Sequence, residues 1–303
     1  MSVKTPILDP DALSRLLALP LNARQAMLGS VSGRHRSPVK GSSLEFAQYR
    51  KYVPGDDTRR LDWRTWGRSD RFYIKEFEAD TNLRLCLIVD ASGSMDYPDA
   101  APGRHNRMDL ARQLGASLAY LAAHQGDAVG LWGSGADHRQ KIPAKRGATH
   151  LSLVMDQLAE LKPKGDTTLI ESLHTAAEEI RQRALVIAIS DFFVDPDELK
   201  SALQHLRFRR HDVALFHLLA PKEIDFDFDR PARFLDAEGG ETLLVDPSLV
   251  ASRYREVVRA YLAAIDTLVR DMAIDYHRVL LHENAEEVLA RFLLARLQKG
   301  VTR

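Results

Sequence analysis

The apolar run Leu85-Cys86-Leu87-Ile88-Val89 ends on Asp90-Ala91-Ser92-Gly93-Ser94, and this junction constrains the fold more than any other stretch. A short uninterrupted apolar run bounded by small residues predicts a strand buried on both faces, as in parallel sheets covered by helices. Ligands of open α/β sheets bind beyond the carboxyl ends of such strands. The loop placed there offers one carboxylate and two hydroxyls at alternate positions. All are hard oxygen donors, suited to Mg²⁺ or Mn²⁺ and poorly suited to zinc or copper.

From Leu83 onward the pattern alternates between strand and helix. Arg107 to His124 carries apolar residues at helical spacing. Ala128 to Trp132 reads as a strand stopped by Gly133-Ser134-Gly135. His150 to Leu161 and Leu169 to Arg183 are amphipathic helices flanking Gly165-Asp166-Thr167-Thr168, and Ala184 to Ile189 is a second buried strand closed by Ser190-Asp191-Phe192. Pro196 to Leu206 opens with proline and acids, as a helix start should. Val213 to Leu219 is a strand, Glu223 to Arg230 a polar acidic stretch, and a hairpin is expected around Glu238-Gly239-Gly240-Glu241. Ser248 to Met272 is a long helix with Tyr254, Val257, Val258, Tyr261, Leu262, Ile265 and Leu268 on one stripe. Tyr276 to His282 is a last strand and Glu286 to Lys299 a last helix. The expected fold is α/β, a doubly wound, mostly parallel sheet with helices on both faces.

Residues before Leu83 break that rhythm. Asp11 to Leu19 is a short helix candidate, and Gly41 to Asp80 contains aromatic and charged segments that read as short strands and turns packed on the α/β body. The expected division is therefore an N-terminal helix with a β-rich extension over 1–82 and the α/β domain over 83–303. From Arg34 to Lys75 there are 11 basic residues against 5 acidic ones. Basic residues interleaved with aromatics suit single-stranded nucleic acid. The chain as a whole balances 42 Lys and Arg against 42 Asp and Glu, so pairing of these arginines with Asp56, Asp57, Asp62 and Glu76, or a protein partner, is preferred and no nucleic acid is expected. Asp57, Arg60, Asp62 and Trp63 fit a buried salt-bridged corner as well as a direct role.

Cys86 is the only cysteine; it excludes an intramolecular disulfide and reads as a small buried hydrophobe. Met1 to Pro10 lacks the apolar core of a signal peptide, and no apolar stretch reaches the ~18 residues of a membrane span. No membrane span and a cytoplasmic location are the expectations.

Asp90-x-Ser92-x-Ser94 after a buried first strand resembles the opening of the metal-ion-dependent adhesion site of von Willebrand factor A domains. That resemblance implies a threonine from a second loop and an aspartate from a third. Thr167 is the better match for the threonine, with Thr168 the open alternative, and Asp191 matches the acid. The implied metal ligands are thus Asp90, Ser92, Ser94, Thr167 and Asp191. Taken singly, each has a plain structural use: Asp90 as a helix cap, the serines as turn residues, Thr167 as a cap before Leu169, and Asp191 as an acceptor within its own loop.

A second resemblance rests on Glu45-Phe46, Tyr49 to Asp57, Arg60-Leu61-Asp62-Trp63 and Glu76-Phe77-Glu78 leading into the Asp90 loop. These are similar to the bacterial family known as domain of unknown function 58, closely from Gly33 to Met95 and more loosely beyond. That resemblance implies association with MoxR-type AAA+ ATPases. Many members carry membrane helices ahead of the motif, whereas this chain opens with a short soluble helix. A non-catalytic adaptor is expected, whose Mg²⁺ (or Mn²⁺) is completed by an acidic residue of a protein partner.

A metal-assisted hydrolase is the competing class. The second acid of a haloacid-dehalogenase-type phosphatase is missing, since Ser92 stands there. Gly-x-Ser-x-Gly, Walker A and His-Glu-x-x-His patterns are absent. His277 and His282, five apart on an expected strand, would face opposite sides. Nucleic-acid binding through Arg34 to Lys75 is the third reading and predicts steep salt dependence.

Overall fold

The computed structural model describes residues 10–21, 44–51, 73–79, 83–97, 106–135, 141–228, 230–235, 237 and 242–301. The 52–57 and 60–63 motif segments, and most of the basic Arg34 to Lys75 region, lie outside them.

In chain order the elements are α1 (Pro10–Leu16), β1 (Leu44–Lys51), β2 (Tyr73–Ala79), β3 (Arg84–Asp90), α2 (Arg107–His124), β4 (Ala128–Ser134), β5 (Lys141–Lys145), α3 (Ala148–Glu160) and α4 (Leu169–Glu179). There follow β6 (Leu185–Ser190), α5 (Pro196–Phe208), β7 (Asp212–Leu219), α6 (Pro221–Asp225), β8 (Ala232–Phe234), β9 (Leu243–Val245), α7 (Pro247–Asp271), β10 (Asp275–Leu280) and α8 (Ala285–Val301). Six strands form one sheet in the order β10-β7-β6-β3-β4-β5, every neighbouring pair parallel except β4 and β5. This is a doubly wound, mostly parallel sheet. From β3 the chain winds outward to β4 and β5, then returns to β6 on the other side and winds away to β7 and β10. The direction reverses between β3 and β6, which makes their carboxyl ends the switch-point crevice.

Alternation along β3 divides the core. Leu85, Leu87 and Val89 pack in one cluster with α2, α3 and α8 residues such as Leu114, Leu158 and Phe292. Cys86 and Ile88 face the other way, onto Leu173, Leu203 and Ile265 of α4, α5 and α7. The period of two puts each successive side chain into the opposite layer.

The N-terminal segment divides as well. Leu13, Leu16 and Leu21 join the first cluster, Gln125 holds Leu19 and Leu21 by backbone hydrogen bonds, and Arg15 forms a two-bonded ion pair with Glu286. β1 and β2 form a separate antiparallel pair.

Several expectations are corrected. β4 runs on through Gly133 and Ser134, because Ser134 still pairs with Asp90. Strand β5 is unexpected: its sequence, Lys141-Ile142-Pro143-Ala144-Lys145, is polar and contains a proline. Those properties suit an edge strand, where charge and a missing N–H discourage further pairing. Helix α4 stops at Glu179 rather than Arg183, because Ile180 already has extended backbone and the chain must turn back to enter β6. The acidic stretch at Glu223 begins inside a short helix, α6. The hairpin exists as β8 paired with β9, its tip outside the described residues. In α7 the buried positions are Pro247, Leu262, Ile265 and Val269, while Val257 is exposed. His282 lies beyond the end of β10, so the alternation argument does not apply to it.

Candidate functional site

The site is built from the loops after β3 and β6 and the loop leading into α4. Asp90 ends β3 and is 1% exposed. Its Oδ1 accepts the Ser92 backbone N–H at 3.0 Å. Its Oδ2 accepts the Ser190 hydroxyl at 2.7 Å and the Thr167 hydroxyl at 3.3 Å. The Ser92 and Ser94 hydroxyls lie 3.1 Å apart. Thr167 also accepts the Leu169 N–H at 3.3 Å, so it caps α4 while reaching Asp90. Thr168 turns instead to Ser134, 3.3 Å away.

Backbone contacts staple these loops together. Gly93 N–H donates to the Gly165 carbonyl at 2.8 Å, and Lys164 N–H donates to that of Ala91 at 2.9 Å. Gly165 has φ of +71°, open to glycine without strain. Gly135 is required for a different reason: a Cβ there would lie 2.8 Å from the Ala91 carbonyl oxygen.

Asp191 follows Ser190 and is held by Arg107. The Arg107 guanidinium is fully buried. Its Nη1 donates to Asp191 at 2.5 Å and to the Ser94 carbonyl at 3.0 Å, and its Nη2 donates to Glu223 of α6. One arginine thus joins the first loop, the third loop and α6. The next residue, Phe192, is buried with φ of +50°, a costly conformation for a bulky side chain. It is held there by Ser190, whose hydroxyl accepts the Phe192 N–H at 2.8 Å, and by Tyr261, whose hydroxyl donates to the Phe192 carbonyl.

The electrostatics are uneven. Burial, and then the charge of Asp191, push the Asp90 carboxyl up to about 6, against the opposing hydrogen bonds from Ser190 and Ser92. No lysine or arginine pairs with Asp90 among the described residues. Asp90 is therefore a buried carboxylate whose bonded partners are all neutral.

All five residues expected at the site are thus brought to the carboxyl end of the sheet, Asp191 joined to the rest through Arg107. Three contributors were missed. Ser190 read only as the end of a strand, Arg107 as the first residue of a helix, and Glu223 as part of an acidic stretch. Nothing local in the sequence marks an ion triad whose members are 84 and 116 residues from Arg107.

As a donor set for a divalent cation, Asp90, Ser92, Ser94 and Thr167 fit: they are hard oxygens around a buried negative charge that lacks a cationic partner. Asp191 has one oxygen committed to Arg107, so it would act on such an ion at one remove. Clusters of three or more His, Cys, Asp and Glu do not occur among the described residues.

A family model described as a protein of unknown function, DUF58, matches residues 48–263. An uncharacterised protein of Mycobacterium tuberculosis is 27% identical over 247 residues, covering 80% of this chain and 76% of the relative. An aerotolerance-related membrane protein from Bacteroides fragilis is similar in structure, with TM-score 0.49 and 15% identity over 72% of this chain and 100% of its own. The SpRpn10 VWA domain aligns with TM-score 0.42 and 13% identity, over 70% of this chain and 95% of its own.

Proposed function

This chain belongs to the DUF58 family, and on that premise we propose that it is a non-catalytic, divalent-metal-dependent interaction module. The observation that carries the reading is the buried Asp90 carboxylate, surrounded by hydroxyls from three loops and paired with no cation among the described residues. Mg²⁺ usually retains open or water-filled positions and is completed by outside oxygens. Asp90, Ser92, Ser94 and Thr167 would hold the ion, with Asp191 behind them. The ion would supply an electrophilic position for a carboxylate of a partner protein.

A binding role is favoured over hydrolysis by the commitments of the two acids. Asp90 would be occupied as a ligand of the ion, and Asp191 has one oxygen tied to Arg107, so neither is offered as a general base. The proposed partner is a MoxR-type AAA+ ATPase, with this chain as its adaptor in the maturation of other proteins. No helix among the described residues is long and apolar enough to cross a membrane.

The test is calorimetry of Mg²⁺ and Mn²⁺ with the wild type and Asp90→Ala, followed by capture of a purified MoxR-type ATPase with metal and with chelator. Metal binding and capture by the wild type alone, both abolished by chelator, are expected. Capture that ignores both metal and Asp90 would move the interface elsewhere and sink the adaptor mechanism.

A further inference from the structure

A second concavity lies at the antiparallel edge of the sheet, away from the Asp90 loops. It has a volume of about 300 Å³ and sits between β3, β4 and β5 on one side and the carboxyl end of α4 on the other. Its floor is apolar, with buried Cys86 and Trp132 beside Pro143 and Ile180. Lys141 and Glu179 form a 2.6 Å ion pair that joins β5 to α4 at the margin. That pair uses the cleft's carboxylate and one of its three cations.

The remaining two cations, Arg84 and Arg181, pair with no carboxylate among the described residues. Arg84 spends one weak bond of 3.3 Å on the Ala144 carbonyl, and Arg181 is exposed. Trp132, 95% buried by its 5% exposure, keeps its indole Nε1–H without a hydrogen-bond partner. That nitrogen is itself closed to solvent and lies under the floor of the cleft. The lining thus combines an apolar floor with a net positive charge.

We propose that this cleft is a binding site for a small amphipathic carboxylate, its apolar body against Trp132, Cys86 and Ile180 and its carboxylate toward Arg84 and Arg181. The volume is at the lower end of ligand pockets. At a water's share of ~30 Å³ it admits roughly ten heavy atoms, which sets the size class as an aryl or short aliphatic acid. Phosphate esters of sugars lack the apolar body the floor calls for, and long acyl chains exceed the room. The proposal is independent of the metal-site reading.

Ligand-observed NMR titration of the full chain with benzoate and benzamide tests it, because the two differ mainly in charge. Benzoate is expected to bind saturably and about tenfold or more tighter than benzamide, as charge-assisted bonds require. Arg181→Ala, an exposed change that leaves the core intact, should erase most of that preference while benzamide binding stays unchanged. Ala144→Trp should block both ligands by filling the cleft. Equal binding of benzoate and benzamide, no saturable binding of either, or benzoate binding undiminished in Ala144→Trp would each overturn the site.

Discussion

Both ends of the central sheet bury carboxylates, and the two ends treat them differently. Near the amino ends of β7 and β10, Asp212 and Asp275 are almost fully buried beside Arg296, itself 2% exposed. Arg296 donates to Asp275 at 2.6 Å and lies 4.0 Å from Asp212, which also faces Arg183 at 3.4 Å. At the carboxyl ends, Asp191 has Arg107, but Asp90 has only hydroxyls and an N–H. A buried ion pair is a closed arrangement whose rupture leaves a charge stranded in low dielectric. A buried carboxylate with neutral partners is open, because a cation from outside improves it. The difference separates an end whose buried carboxylates are paired with arginines from an end where Asp90 is not.

The largest expected effect comes from breaking the closed end. Arg296→Met should destabilise the protein by about 3–5 kcal/mol by leaving Asp275 without its cation; denaturant unfolding would measure it, and a loss near zero would mean water already solvates that pair. Arg107→Met is the intermediate case, expected to cost about 2–3 kcal/mol, since the Glu223 side chain keeps some solvent contact while Asp191 does not. Because Arg107 also holds the Ser94 carbonyl, the same variant should lower Mg²⁺ affinity in calorimetry, which a purely structural ion pair would not do. Asp90→Asn should behave in the opposite sense. In chelator it should be more stable than the wild type by about 1 kcal/mol, because a buried charge without a cation has been removed. With Mg²⁺ present the order should reverse, as only the wild type gains stability from ligand binding. A metal-free Asp90→Asn that unfolds more easily than the wild type would erase the distinction between the two ends.

The contrast was only half legible in the sequence. Leu85 to Asp90 and Ala184 to Asp191 announce themselves, because a parallel strand is a continuous apolar run and its loop follows directly. Thr167 could be placed by its position ahead of an amphipathic helix; it reaches Asp90, while Thr168 turns to Ser134. Arg107, Glu223 and Ser190 could not be found this way. Their roles depend on which loops the sheet order brings together, and local patterning carries no record of that order. Strand β5 was hidden for a related reason: an edge strand with Pro143 and flanking lysines satisfies a rule about exposed edges that looks, locally, like a loop.

The smallest effect is one of slope rather than size. Burial pushes the His211 imidazole down to about 4 and that of His217 down to about 3. As the pH falls below the ordinary histidine value of ~6.5, the unfolded chain takes up protons that the folded chain refuses. The stability these histidines contribute is complete above that value and is lost on the way down. Asp90 works in the opposite sense. With its carboxyl raised to about 6, the folded chain holds a proton that the unfolded chain has released. Its contribution is present below the ordinary carboxyl value of ~3.9 and is lost as the pH rises to about 6. Between these limits the two effects oppose each other. Asp90→Asn removes only the opposing one, so in chelator its stability must fall more steeply than that of the wild type on acidification through this window. Above ~6.5 the two curves should run parallel. Equal slopes throughout, measured by urea unfolding across the pH series, would show that Asp90 titrates like an exposed carboxylate. The open end of the sheet would then be no different in kind from its surface.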